Sequence, residues 1–247
     1  MIILRSIAFQ ILFYVNFVIM ALILSPLLLG PRSWGVWTAK SWTASSIWLL
    51  RVVAGTRLEI RGLENLPDGP FLLASKHQSA LETVALVPII KEPIFILKRE
   101  LMYLPIFGWY ALKMQMIPVD RGARSQALKA ITEHGRVTIA KGRQIIIFPE
   151  GTRRPVGAAP SYKWGVAHIY TELGVPCVPA ALNTGLFWPR NSLLRFPGTA
   201  VIEFLPPIPP GLNKETFLTT LSERIEPASD ALVAEARRDS PSVRGSL

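Results

Sequence analysis

FLLASKHQSALETVALVPII, residues 71–90, decides the fold. Its first five residues are an apolar run ending in serine, which predicts a strand buried on both faces. Its last eight, TVALVPII, are long enough for a short helix that Pro88 brings to an end. Between them stands KHQSALE, residues 76–82. Ser79, followed three residues on by Glu82, fits a capping box, with serine at the N-cap and glutamate in the first turn. His77 then sits at a strand end, just ahead of a helix start. Inside one continuous helix, His77 and Glu82 would lie about 140° apart around the axis and hardly meet. Across a strand-to-helix turn they can pair. The carboxylate then fixes the imidazole tautomer and supports the charge the ring gains with a proton.

The alternation of strand and helix extends in both directions. RLEIRG (57–62) predicts a strand ahead of a turn-rich stretch, 62–69. PIFILKR (93–99) predicts another, ending in Lys98 and Arg99, and MIPVD (116–120) a short one ending at Asp120 and Arg121. Residues 125–141 predict a helix, with Leu128, Ile131, Val137 and Ile139 as its apolar positions. QIIIFPE (144–150) is a strand that runs into Gly151, Thr152, Arg153 and Arg154. A helix over 163–173, closed by Gly174, leads to VPCVPAAL (175–182) and AVIEFLPPI (200–208), both strands. Residues 211–240 are helical in parts. Alternation over this length predicts an α/β domain with helices on both faces of a sheet. The expected organisation is a membrane anchor over 1–56, a catalytic domain over 57–238 and a frayed tail over 239–247.

The anchor follows from charge. Between Arg5 and Arg32 no residue is charged, and Gln10 and Asn16 are the clear polar interruptions. The run exceeds the roughly 20 residues needed to cross a bilayer, and it lacks a small-x-small cleavage end. Trp34, Trp37, Trp42 and Trp48 follow, among Lys40, Arg51 and Arg57, as in a helix lying near the headgroup layer. Two arrangements satisfy this pattern. One is a single span with the main domain on the cytoplasmic side. The other is a helical hairpin, bent over 26–31, that leaves the bilayer on the side it entered.

Of the 247 residues, 27 are Lys or Arg and 17 Asp or Glu, a formal net charge of +10, and half are hydrophobic. With a mean hydropathy of +0.33, basic and apolar character together point to a membrane surface. Nucleic acid is disfavoured: the basic residues are dispersed and the tryptophans sit beside the anchor. The single Cys177 allows no internal disulfide and no metal-ligand spacing.

Four blocks in order, KHQSALE, FILKRELMYLPIFGW with IPVDR after it, FPEGTRR and VPCVP, resemble the glycerolipid acyltransferases that acylate lysophosphatidic acid, the 1-acylglycerol-3-phosphate O-acyltransferases. The resemblance runs from Lys76 to Pro179 behind the anchor. It implies a mixed central sheet flanked by helices, with a fatty acyl group moving from acyl-CoA or acyl carrier protein, as co-substrate, to a glycerophosphate hydroxyl. It implies no cofactor, and a bacterial inner membrane with the catalytic domain facing the cytoplasm. It makes His77 the general base with Glu82 beside it, where the family's block has aspartate. It puts the acceptor's phosphate near Arg153, assisted by Arg121 and Lys98, and makes Pro179 and its neighbours a wall of the cleft.

The residues themselves suit that chemistry. A histidine can take the proton of an attacking hydroxyl, and backbone N–H groups after His77 or near Gly151 are candidate oxyanion donors. A turn at Gly151 puts Thr152 and Arg153 at a strand end, where α/β folds bind ligands and an arginine can clamp a phosphate. Glu150 could hold Arg153 or His77, or meet the acceptor's glycerol. Residues 101–116 could line an acyl-chain groove. Ser79 and Cys177, the nearest nucleophiles for a covalent route, are better explained as a helix cap and a core residue; His134 and His168 have no persuasive carboxylate and are read as structural. Two other readings compete: transfer to another lyso-lipid, such as lyso-ornithine lipid or a lysophospholipid, and a non-catalytic membrane-binding module.

Overall fold

The computed structural model describes residues 1–243 apart from 121 and 123, and leaves the side chains of 124 and 125 undescribed. Its elements run α1 (Ile2–Ile23), α2 (Arg32–Leu49), β1 (Thr56–Arg61), β2 (Leu72–Ser75), α3 (Leu81–Ile89), β3 (Pro93–Lys98), α4 (Phe107–Lys113) and β4 (Ile117–Val119). They continue with α5 (Arg124–Ala140), β5 (Gln144–Ile147), α6 (Trp164–Leu173), β6 (Cys177–Leu182), α7 (Thr184–Phe187), β7 (Gly198–Phe204) and α8 (Lys214–Asp239). The described strands form one sheet in the order β1-β7-β6-β2-β5-β3-β4. Every neighbouring pair is parallel except β6 and β7, which are antiparallel. The sheet is therefore mixed.

Alternation along the central strands sorts their side chains onto two faces. Leu72, Ala74, Ile145, Ile147 and Cys177 pack with α6 and α8, while Leu73, Ile146, Val178 and Ala180 pack with α3. Each such residue, fully removed from water, contributes about 1.5–3 kcal/mol for the larger side chains. From the central β2 the chain crosses to β3 on one side, and from neighbouring β5 it crosses to β6 on the other. The two connections take α3 and α6 to opposite faces. The carboxyl ends of β2 and β5 thus border a topological switch point, where parallel sheets open a crevice for ligands.

The helices α1 and α2 lie antiparallel, as their cross-contacts require: Arg5 Nε donates to the Val53 carbonyl, Asn16 to the Ser45 and Ser46 hydroxyls, and Phe17 meets Trp42 edge-on. The chain is a helical hairpin, with its turn over Ser25–Leu29. Both polar interruptions of the apolar run are satisfied, since Gln10 accepts from the Arg195 guanidinium at 2.8 Å. Phe9 is wholly buried among Leu50, Leu81, Phe187 and Trp188. The division expected at residue 56 is therefore a change of composition and not a gap in packing. The opposite face of α1, including Ile3, Leu4, Ile7, Ile11, Val15 and Leu22, is exposed. Among the described residues α1 is the helix long and apolar enough to cross a membrane.

The C-terminal region departs from expectation. It is one helix of 26 residues that continues through Pro227. The chain beyond it stays packed, with the Ser242 hydroxyl donating to the Pro197 carbonyl at 2.5 Å and Val243 fully buried. Of the tail expected to fray, residues 240–243 are anchored, and 244–247 lie outside the described residues.

Candidate active site

The strand β2 delivers His77 to the switch point, and Glu82 lies in the first turn of α3. The pairing is made: His77 Nδ1 and Glu82 Oε1 are 2.9 Å apart. Glu82 is fully buried, and the same oxygen accepts the backbone N–H groups of Gln78 at 2.8 Å and Ser79 at 2.7 Å. Its other oxygen accepts the Thr184 hydroxyl at 2.6 Å. An oxygen that already accepts two N–H groups must accept from the ring as well, so the imidazole proton sits on Nδ1 and Nε2 carries the free lone pair. Ser79 is not the N-cap it was expected to be: α3 starts at Leu81 with Ala80 at the N-cap, so the serine lies one residue ahead of the cap and the box does not form as such. Glu82 reaches back to Ser79 N–H as expected, whereas Ser79 Oγ accepts from Leu81 N–H and donates to the Trp188 carbonyl.

The imidazole stacks on Phe148, with centroids 3.9 Å apart and planes 16° from parallel. Its backbone is held on both sides: His77 N–H donates to Glu150 Oε2 at 2.9 Å, and its carbonyl accepts from Arg154 N–H at 2.7 Å. Of the three roles open to Glu150, the structure realises the grip on His77. Burial pushes the Glu150 carboxyl above its usual range, opposed by the His77 N–H and by Lys76. Gly151 closes the turn after β5 at φ 68°, a left-handed conformation that glycine takes without strain, with its N–H on the Phe148 carbonyl. The N–H groups of Gln78, Ser79 and Gly151 are therefore engaged, and the oxyanion role expected for that set is not open to them as they stand.

His77 opens into an apolar groove of about 340 Å³ that also carries Lys98 and Arg153. Its walls come from Phe17 and Ala21 of α1, Ala39 and Trp42 of α2, Val84 and Val87 of α3, and Tyr110 and Ala111 of α4. Phe107, Tyr110 and Met116 bear out the expected lining by residues 101–116 in part; Tyr103, Leu104 and Trp109 face outward. Arg153 is exposed where it lines the groove, and its carbonyl accepts from Arg190; Thr152 is exposed and is not among the lining residues. Lys98 is exposed and pairs with Glu100 at 3.0 Å. Arg121 lies outside the described residues. Pro179 is buried in β6 opposite Ala74 and is not among the residues lining the groove, so it does not form the expected wall.

Cys177 is wholly buried in β6, and burial pushes its thiol far above the ordinary range. Cys177→Ala is expected to keep at least half of wild-type activity, and the native protein to resist iodoacetamide. Rapid alkylation with matching loss of turnover would reinstate a covalent route.

The family model described as "Acyltransferase" matches residues 57–183. A 1-acyl-sn-glycerol-3-phosphate acyltransferase of Pseudomonas aeruginosa is 37% identical over 196 residues, 79% of this chain and 76% of the relative. The chain belongs to the 1-acylglycerol-3-phosphate O-acyltransferase family. It is an acyltransferase. A chloroplastic 1-acyl-sn-glycerol-3-phosphate acyltransferase of Brassica napus is 36% identical over 160 residues, 62% of this chain but 44% of that longer protein. The crystal structure of the 1-acyl-sn-glycerophosphate (LPA) acyltransferase PlsC from Thermotoga maritima shares the fold at a TM-score of 0.80 and 22% identity, covering 95% of this chain and 98% of its own.

Four residues of the acyltransferase's site escaped sequence reading. Phe148 lay inside FPEGTRR without a role, and its stacking on His77 needs the β2–β5 pairing to be known. Thr184 binds Glu82 from 102 positions downstream, outside every motif. Lys76 carries no sign of its partner in the surrounding motif, and Glu226 of α8 binds its ammonium at 2.7 Å.

Proposed function

We propose that this acyltransferase moves a fatty acyl group from acyl-CoA or acyl carrier protein to the sn-2 hydroxyl of a 1-acylglycerol-3-phosphate, giving phosphatidic acid. The observation that carries this reading is one groove holding a carboxylate-bound histidine, an apolar lining and two exposed cations. His77 Nε2 takes the hydroxyl proton as the oxygen attacks the thioester carbonyl. Glu82 supports the imidazolium so formed. The tetrahedral intermediate collapses, the C–S bond breaks, and the thiolate leaves with the proton returned from His77. No acyl-enzyme forms, which accords with a buried Cys177 and a Ser79 hydroxyl already bonded on both sides. Arg153 grips the acceptor's phosphate through its planar fork, with Lys98 adding charge. The fatty chain lies between α2, α3 and α4.

Membrane association follows from the exposed apolar face of α1, together with exposed Trp34, Trp37 and Trp48 of α2. The hairpin brings the chain back beside its start, so insertion into one leaflet from the cytoplasmic face of a bacterial inner membrane suits it better than a lone span. A lyso-lipid acceptor can then reach the groove without leaving the bilayer.

The test is a purified-protein assay of acyl-CoA and acyl carrier protein donors against lysophosphatidic acid, lysophosphatidylcholine, lysophosphatidylethanolamine and lyso-ornithine lipid. Lysophosphatidic acid is expected to be acylated fastest. Arg153→Ala is expected to raise its KM by about 10–100-fold, the scale of a lost charge-assisted hydrogen bond, with less effect on acceptors lacking a phosphate monoester. Turnover of another lyso-lipid while lysophosphatidic acid is ignored would overturn the substrate assignment.

A further inference from the structure

The catalytic histidine is flanked by a buried charge that acyl transfer does not itself require. Lys76 is 3% exposed, and its ammonium lies 2.7 Å from both oxygens of Glu226, on the far C-terminal helix α8. The same glutamate accepts the Tyr162 hydroxyl at 2.7 Å. Lys76 immediately precedes His77, while Tyr162 ends the loop that begins at the arginines after Gly151. Glu226 therefore holds both arms of the site at once. It does so from outside the stretch that the family model matches.

We propose that Glu226 is a positioning residue, locking the His77 peptide and the 155–163 loop into one frame through Lys76 and Tyr162. This rests on the reading of His77 as the general base. Burying an ammonium is costly unless it is paired. Without Glu226, the next anion is Glu150, whose Oε1 stands 3.8 Å from the ammonium and has no hydrogen-bond partner. Lys76 would close on Glu150, and Glu150 would be drawn from the His77 N–H that it accepts at 2.9 Å. Tyr162 would lose its acceptor in the same event, loosening the end of a loop that is otherwise held by Lys163 N–H on the Pro149 carbonyl, by Arg154 on the Ala159 carbonyl and by the packing of Val156. One substitution on α8 thus misaligns the base and the phosphate side together.

The experiment is steady-state kinetics of Glu226→Gln, Glu226→Asp, Tyr162→Phe and the double variant Lys76→Met/Glu226→Met, in full-length protein, with thermal unfolding of each. E226Q is expected to lose tenfold or more in kcat with the acyl-donor KM unchanged, and E226D to recover part of it. Y162F is expected to raise the lysophosphatidic acid KM with a smaller loss of kcat. The double variant removes both charges, so it is expected to fold even if E226Q does not, and still to lose kcat. Wild-type kcat and KM in E226Q or in the double variant, with H77A inactive in the same assay, would overturn the role of Glu226 alone. A wild type that acylates none of the acceptors, or an H77A that keeps turnover, would remove the underlying reading instead.

Discussion

His77→Ala is expected to lower kcat/KM by about 10²–10⁴-fold, the range that a positioned acid–base group contributes, while leaving the fold and donor binding intact. The structure separates these effects. The proposed mechanism uses the imidazole through Nε2, whereas the fold holds residue 77 mostly by its peptide, which Glu150 and Arg154 grip through backbone atoms that alanine retains. The substitution does forfeit the stack on Phe148 and leaves Glu82 with its two N–H groups and the Thr184 hydroxyl. Apart from His77 itself, the apolar lining of the groove is untouched by the substitution, so the acyl donor should bind with wild-type KM. Single-turnover acylation, donor titration and thermal unfolding on the same preparation check all three. A variant within about tenfold of wild type, below the lower bound for such a group, would mean that another base does the work.

Much of this was legible in the chain, for reasons that differ by element. The strands of the sheet centre are short apolar runs closed by Pro, Gly or charged turns, and they form where the pattern puts them. KHQSALE announces its own turn because the capping interaction and the histidine–carboxylate pair use the same glutamate, so local chemistry and site geometry agree. That the sheet is mixed was expected from the family resemblance, but which pair runs antiparallel, β6 with β7, was not legible, because an apolar run reads the same whichever way it pairs. Pro179 misled: the resemblance marked it as a wall of the cleft, yet it lies within β6 opposite Ala74, and its carbonyl accepts Leu205 N–H at 2.9 Å. The antiparallel packing of α1 and α2 was not legible from hydropathy alone, because the partners that Gln10 and Asn16 find, Arg195 and Ser45, are distant in sequence. Glu226 and Thr184 had no signal to find, since each acts through a contact more than a hundred residues away.

Glu82 gives the second large effect, and its variants separate charge from shape. Glu82→Ala removes the acceptor of four donors at once: Gln78 N–H, Ser79 N–H, the Thr184 hydroxyl and His77 Nδ1–H. Each buried donor left unpaired costs about 1–3 kcal/mol, so this variant should lose about 10²-fold or more in kcat, the scale of acid–base contributions, and melt earlier as well. Glu82→Gln is the sharper test. It keeps the length and one acceptor oxygen, but carries no charge to set against the imidazolium. Its kcat should fall by about 10²-fold or more, the cost of losing the group that orients and charges a catalytic histidine, with a smaller change in melting temperature than E82A. Glu82→Asp retains the charge and shortens the reach by one methylene. The N–H groups at the helix start and His77 lie on one oxygen, and Thr184 alone on the other. The shorter side chain should therefore keep the ring and give up Thr184. E82D should then remain within about tenfold of wild type, above the losses expected when the group is removed, and adding Thr184→Val to it should cost little more, because both changes strike the same bond. Steady-state kcat with melting curves for E82A, E82Q, E82D and E82D/T184V decides the matter. Wild-type kcat in E82Q would show that the glutamate serves the helix start alone and that its charge plays no part in the chemistry.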